Sequence, residues 1–330
     1  MANVRRGQFS MSAKRLMKKQ VRRHLGDNLV KVLGGPNLVQ VLGGPFSVYK
    51  YLPEAYGSNS FAIPKEQDYE NEGMDDGLPV PPRPLWLGYG NAFGEKGSEW
   101  YIAKGKRDVD RMLEIAETAD FSLAPGSRIL EMGCAAGRMI RHLKPLAESC
   151  EIWGVDVSAP LVNWCKANLH PPFNFATTTQ LPHLPFEDSY FDFIYTGSVF
   201  THIDDLADAW LLELRRILSP KGRLYATIHD RHTIKLLDEG YYYDKSGYFT
   251  DKNNKEVTLT DQLNSDSVYS RQKDQFGMLV IGRDYESQVF YDIDYFRKVV
   301  SPMYAIVSVT EEAYGHQTAV LLEKRDNASR

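Results

Sequence analysis

The chain has little cysteine, no long apolar run and almost no net charge, and each shortage excludes something. Three cysteines in 330 residues (Cys134, Cys150 and Cys165), unevenly spaced, make neither a disulfide framework nor a metal-ligand set. A reducing, cytoplasmic compartment is the expectation, with no metal. No stretch approaches the ~18 apolar residues that span a bilayer. A formal net charge of -4 argues against whole-surface attraction to nucleic acid or anionic lipid. What is present, 43% hydrophobic and 25% charged residues, is the make-up of an ordinary globular protein, long enough for one large domain with extensions.

The charge is unevenly placed. Residues 1–26 carry eight Lys and Arg and no acid. Read as a helix, Ala13, Met17, Val21 and Leu25 form an apolar row between basic ones. Such a segment suits an anionic membrane surface or an acidic partner, and a presequence has similar composition. A tandem repeat follows, LVKVLGGPN and LVQVLGGPF, two copies where a solenoid needs at least about three. Residues 53–84, rich in Gly, Pro, Asn and acids, read as a linker that wraps the surface. The expected division is an extension over 1–84 and one domain over 85–330.

Beyond Trp86 strands and helices alternate, the pattern of a parallel sheet covered on both faces. Strands are expected at Arg128–Met132, Glu151–Val157, Phe173–Thr177, Phe191–Thr196 and Arg223–His229. A lead-in helix is expected at Gly105–Ala119, and others at Arg138–Leu146, Leu161–Leu169 and Asp205–Leu218. After His229 the alternation fails. Residues 231–290 read as an insertion holding Tyr241, Tyr242, Tyr243 and Tyr248, placed to close over a site as a lid. Two last strands around a Gly-containing turn predict a terminal antiparallel hairpin.

The most specific stretch is RILEMGCAAGRMIRHL, residues 128–143. A phosphate-cradling loop would need Gly-Lys-Ser/Thr, which is missing. A dinucleotide turn would need glycine where Ala135 and Arg138 stand, so a nicotinamide oxidoreductase is disfavoured. The pattern Glu131, Gly133, Gly137 suits a ligand without phosphate, such as S-adenosylmethionine. Glycines admit its methionine and ribose portions, helix-start amides receive its carboxylate and Glu131 accepts from its ammonium. Asp156, ending the second strand, is placed for the ribose hydroxyls, with Val157 beside the adenine and Thr179 or Gln180 at the adenine edge. Cys134 and Ala135, between the glycines, and Ser198, after the fourth strand, complete the expected cofactor set. The duller readings are a helix-dipole carboxylate at Glu131, a helix cap at Asp156 and a buried small side chain at Cys134.

Four ordered stretches, ILEMGCAAGR, GVDVS, LPFEDSYFDFIYTGSVFTHI and LRRILSPKGRLYATIHD, resemble the core of class I S-adenosylmethionine-dependent methyltransferases over about residues 126–230. The resemblance implies a doubly wound, mostly parallel seven-stranded α/β sheet, Rossmann-like, with its last strand antiparallel. It also implies S-adenosylmethionine as cofactor. Ala135 departs from the glycine often found there, with slightly tighter packing expected.

The acceptor side would lie beyond strands four and five. The Asn/Asp-Pro-Pro-Tyr/Phe and Pro-Cys sequences of nucleobase methyltransferases are missing, so no nucleic-acid substrate is expected. His229 is the first candidate base, His202 the second, with His232 also in range and Asp230 as an orienting group. His316 is expected to be structural. The activity expected is O-methylation of a small molecule or glycan. N- or C-methylation and a non-catalytic binding module are the alternatives.

Overall fold

The computed structural model describes residues 70–87, 89, 96–239, 263–282 and 287–325 with their side chains, and the backbone of Lys50–Glu54, Ser58–Ala62, Tyr248–Thr250 and Glu256–Thr258. The basic leader, the Gly-Gly-Pro repeat, Tyr241 to Tyr243 and the side chain of Tyr248 lie outside the described residues. Contacts divide the chain into Met1–Lys65 and Glu66–Arg330. In the first unit Lys50–Glu54 pairs antiparallel with Ser58–Ala62.

The second unit is built on seven strands: β1 Arg128–Met132, β2 Glu151–Asp156, β3 Asn174–Thr177, β4 Phe191–Thr196, β5 Leu218–Ile228, β6 Tyr304–Tyr314 and β7 Gln317–Lys324. Their order is β6-β7-β5-β4-β1-β2-β3. Pairing is parallel from β5 through β3, and β7 is antiparallel to both β5 and β6. Side chains alternate between two buried layers, as a sheet covered on both faces requires. Ile129, Phe193 and Leu321 enter one core with Met112 and Val162; Leu130, Ile194 and Leu322 enter the other with Trp210 and Phe296.

Helix α1, Gly97–Thr118, starts eight residues earlier than Gly105, where the sequence suggested a beginning. Gly105 lies inside it for a packing reason. A Cβ there would stand 2.2 Å from the Arg138 carbonyl oxygen, so the glycine seats α1 directly on the backbone after β1. Gly105→Ala should therefore destabilise. The helix-propensity gain of about 1 kcal/mol is outweighed by overpacking against rigid backbone, about 3 kcal/mol at such a contact. A urea midpoint that falls would bear this out; one that rises would mean α1 is not seated there.

Between β1 and β2 the expected helix Arg138–Leu146 gives way to 3-10 turns at Ile140–Leu143 and Leu146–Glu148. Pro145 has no N–H to give the Arg141 carbonyl, which Lys144 takes instead in a three-residue turn. The other expected helices appear as α2, Ala159–Asn168, and α3, Ala207–Ile217. The Ser-Pro-Lys-Gly stretch after α3 is a bulge within β5, with Lys221 at φ 63°. Residues 70–87 contribute Leu78 to the first core, and the carbonyls of Asp75, Leu78 and Pro79 accept from the Arg141 guanidinium.

After β5 come α4, Arg231–Asp238, α5, Ser267–Gln272, and the antiparallel pair Met278–Ile281 and Gln288–Tyr291. Gln288–Tyr291 lies along the carboxyl ends of the sheet: Val289 N–H donates to the Thr201 carbonyl and Tyr291 N–H to that of His229. Helix α6, Ile293–Val300, then leads to β6. Among the described residues no helix is long and apolar enough to cross a membrane.

Candidate active site

The chain winds from β1 outward through β2 and β3, then crosses to β4 on the other side of β1. Open α/β sheets bind ligands at such a reversal, beyond the carboxyl ends of the strands. Two buried carboxylates flank it. Glu131, 3% exposed, ends the inward run of β1 and accepts from the Tyr195 hydroxyl of β4 at 3.0 Å. Burial pushes its carboxyl up to about 8, against the opposing pull of that hydroxyl and of Arg138. From the ordinary carboxylate range up to about pH 8 the folded state thus holds a proton that the unfolded chain has lost, and stability falls as pH rises through that window. Glu131→Gln should remove this slope. Thermal unfolding at pH 5 and pH 8 should show a larger loss for the wild type, and parallel losses would mean that Glu131 ionises normally.

Asp156, 6% exposed, accepts the Ala135 N–H at Oδ2 and the Ser158 N–H at Oδ1, each at 2.8 Å. Burial raises its carboxyl, and the backbone donors oppose that. The Val157 N–H acts on the same carboxylate, which leaves acceptor capacity for about one further donor. Between the carboxylates the chain turns through left-handed backbone at Gly133, Ala135 and Gly137 (φ 83°, 47° and 75°). For Ala135 that conformation costs about 1–2 kcal/mol, so its departure from glycine affects backbone strain, more than the slight tightening expected. The turn is pinned to β2 by the N–H groups of Gly133 and Cys134, both donating to the Val155 carbonyl.

The glycines also answer to packing. A Cβ on Gly133 would lie 2.4 Å from Val199, and one on Gly137 2.4 Å from Leu169. Cys134 is buried, and burial pushes its thiol well up, which suits filling rather than nucleophilic attack. Arg138 turns away from the crevice: it pairs with Asp108 of α1 at 2.8 Å and donates to the Tyr314 hydroxyl. Val157 is half-buried after β2, and Thr179 and Gln180 are exposed on the loop after β3. That loop is clamped by Arg216 of α3, which donates to the carbonyls of Leu184 and Phe186 and pairs with Glu213 and Asp188. The sequence reading missed this clamp, although its parts stand in plain view in LPFED and ELRRI.

Past β4 and β5 lies a polar network. Ser198, at φ 58°, donates its N–H to Thr227 Oγ1, and its hydroxyl meets Thr201 and the amide of Gln317. His229, 2% exposed, follows β5. Its Nε2 meets His316 Nε2 at 3.1 Å, and its Nδ1 is buried with no partner. The Thr196 hydroxyl, ending β4, is likewise buried without one. Burial lowers the His229 imidazole well below its ordinary value, and the charges of His316 and His202 press the same way. It is therefore neutral, with a lone pair on one ring nitrogen, and its burial works against protonation.

His202 is exposed on the loop after β4, and its Nδ1 lies 2.8 Å from the Ser287 carbonyl. A carbonyl only accepts, so that nitrogen carries the proton and Nε2 the lone pair. His232 is held between Glu311 and Glu312. Asp230 orients no histidine: it caps α4 through the Thr233 N–H and accepts from Thr318. Among the described residues no cluster of His, Cys, Asp or Glu could hold a metal ion.

Comparison with known proteins places residues 130–226 in a family described as a methyltransferase domain. A malonyl-[acyl-carrier protein] O-methyltransferase of Geobacter sulfurreducens is 27% identical over 154 residues, 46% of this chain and 56% of the relative. A sterol 24-C-methyltransferase of Schizosaccharomyces pombe is 30% identical over 105 residues, 30% of this chain and 27% of the relative. The matches thus span about half, or less, of the length of these relatives. A solved S-adenosylmethionine-dependent methyltransferase from Methanosarcina mazei superposes at a TM-score of 0.43 with 16% identity, covering 64% of this chain and 96% of the other.

Proposed function

Because the chain belongs to the class I S-adenosylmethionine-dependent methyltransferases, we propose that it methylates an oxygen of a small molecule or glycan. The observation that carries this reading is the turn 133–137 between two buried carboxylates, at the point where the sheet reverses. The residues fit the cofactor: Asp156 would accept from a ribose hydroxyl, Glu131 would accept from the ammonium, and Gly133, Cys134, Ala135 and Gly137 would lie along the methionine and ribose. Val157, Thr179 and Gln180 would border the adenine, and Ser198 would complete the set. When bound, S-adenosylmethionine supplies a sulfonium methyl: an acceptor lone pair forms the new O–CH3 bond while the C–S pair stays on sulfur.

The protein acts on what remains, orientation and the acceptor proton. His229 takes that proton at Nδ1, with His202 as the second candidate. Residues 85–330 form the catalytic domain, and Gln288–Tyr291, at the close of the stretch 231–290, lies at the ends of β4 and β5, where an acceptor would enter. The basic leader over 1–26 adds contact with a membrane surface or an acidic partner. The name of the sterol relative supports carbon as the second acceptor atom.

Thermal unfolding with S-adenosylhomocysteine and, separately, with NADH tests this. A ligand at ~100 times its dissociation constant adds about 2.7 kcal/mol, or some 5–10 °C for a domain of this size. A shift with S-adenosylhomocysteine alone supports the reading. A shift with NADH alone, or none, overturns it.

A further inference from the structure

We infer that His316 is a positioning residue that sets the tautomer of His229, leaving the Nδ1 lone pair of His229 to receive the acceptor's proton. The inference rests on the methyl-transfer reading above for its chemistry, but on geometry alone for the hydrogen bond. Only one proton can lie between the two Nε2 atoms, 3.1 Å apart. If His316 donated it, His229 would carry its own hydrogen on Nδ1, a buried atom with no acceptor in reach. Buried N–H groups left without a partner are rarer than unfilled lone pairs. The opposite arrangement has no such cost: His229 Nε2–H donates, His316 accepts, and Nδ1 is bare.

His316 is held for this purpose by its neighbours. It follows Gly315 (φ 61°) in the β6–β7 turn, and its carbonyl accepts from Thr233 Oγ1 at 2.6 Å. Gln317 spans from Thr227 to Ser198 at 2.7 and 2.8 Å. The turn is thus stitched to α4, β5 and the loop after β4. Phe290 and His316 both lie with ring centroids 5.0 Å from that of His229, so the imidazole has little freedom to flip. In the reaction the acceptor O–H bond breaks, its proton joins Nδ1, and its electron pair goes to the new O–CH3 bond. The imidazolium that forms keeps Nε2–H pointed at a neutral imidazole, a charge-assisted bond stronger than the one before. A histidine does here what a carboxylate does in the serine-protease triad, where the wrong tautomer costs about 10⁴ in rate.

The test is nitrogen NMR of the full chain labelled at its histidines, assigned by single substitutions. The expected pattern is Nε2–H on His229 and Nδ1–H on His316, the latter being the less common tautomer in water. His316→Gln, whose amide oxygen can accept, should keep the slowly exchanging His229 Nε2–H signal; His316→Leu should lose it to exchange with water. Nδ1–H on His229, or Nε2–H on both rings, overturns the inference, as does an unchanged signal in His316→Leu. Binding of S-adenosylhomocysteine by both variants would show that they fold. Its failure to bind the wild type would sink the methyltransferase reading while leaving the tautomer result standing.

Discussion

Replacing Asp108 by alanine should cost about 3–5 kcal/mol, the penalty of breaking a buried ion pair from one side. Asp108 is 2% exposed and sits between Lys104, one turn earlier on α1, and Arg138 after the glycine turn. Without it two cations stay inside with no counter-ion. Only one has an exit. Burial already lowers Lys104 to about 8 even with Asp108 beside it, so in the variant it sheds its proton more readily still. A group whose folded value is depressed gives up its proton first in the fold, so stability recovers as pH rises above that value. The deficit measured by urea unfolding should therefore be smaller at pH 9 than at pH 7. A deficit under about 1 kcal/mol at pH 7, where exposed pairs normally fall, would mean that the cluster is hydrated. Because Arg138 follows directly on Gly137, affinity for S-adenosylhomocysteine should fall with stability.

His229→Ala should slow methyl transfer by about 10²–10⁴-fold, the range of a lost general base, while cofactor affinity stays near normal. The acceptor for this assay comes from screening small molecules with labelled donor. The variant also vacates space beside Phe290 and His316, so His229→Phe serves as a filled control with the same chemical loss. Both should fall together. An undiminished rate in either would move the role to His202, whose lone pair is at Nε2.

Strand positions were legible where apolar runs are bracketed by polar residues. β1 and β4 match expectation to the residue, because Ile129–Met132 and the apolar Phe191, Phe193, Ile194 and Tyr195 are buried on both faces. The glycine turn and both acidic strand ends were legible for a related reason: short motifs carry their geometry locally. What stayed hidden is long-range. Nothing near Arg138 announces Asp108, 30 residues away, and nothing near His229 announces His316, 87 residues on. Asp230 was misjudged because a carboxylate next to a histidine and one opening a helix look alike until Thr233 and Thr318 are seen beside it. The expected helix after Gly137 overlooked Pro145, whose missing N–H was in the sequence all along.

The β6–β7 turn carries Tyr314 to Arg138, His316 to His229 and Gln317 to Ser198 and Thr227. These three nearby positions reach residues at or just past the ends of β1, β4 and β5, and all three leave the ribosome after those strands. A nascent chain halted at about residue 300 would hold both carboxylates, the glycine turn and His229, yet Arg138 would lack its tyrosine and His229 its partner. Assembly of the site is thus a late event in synthesis.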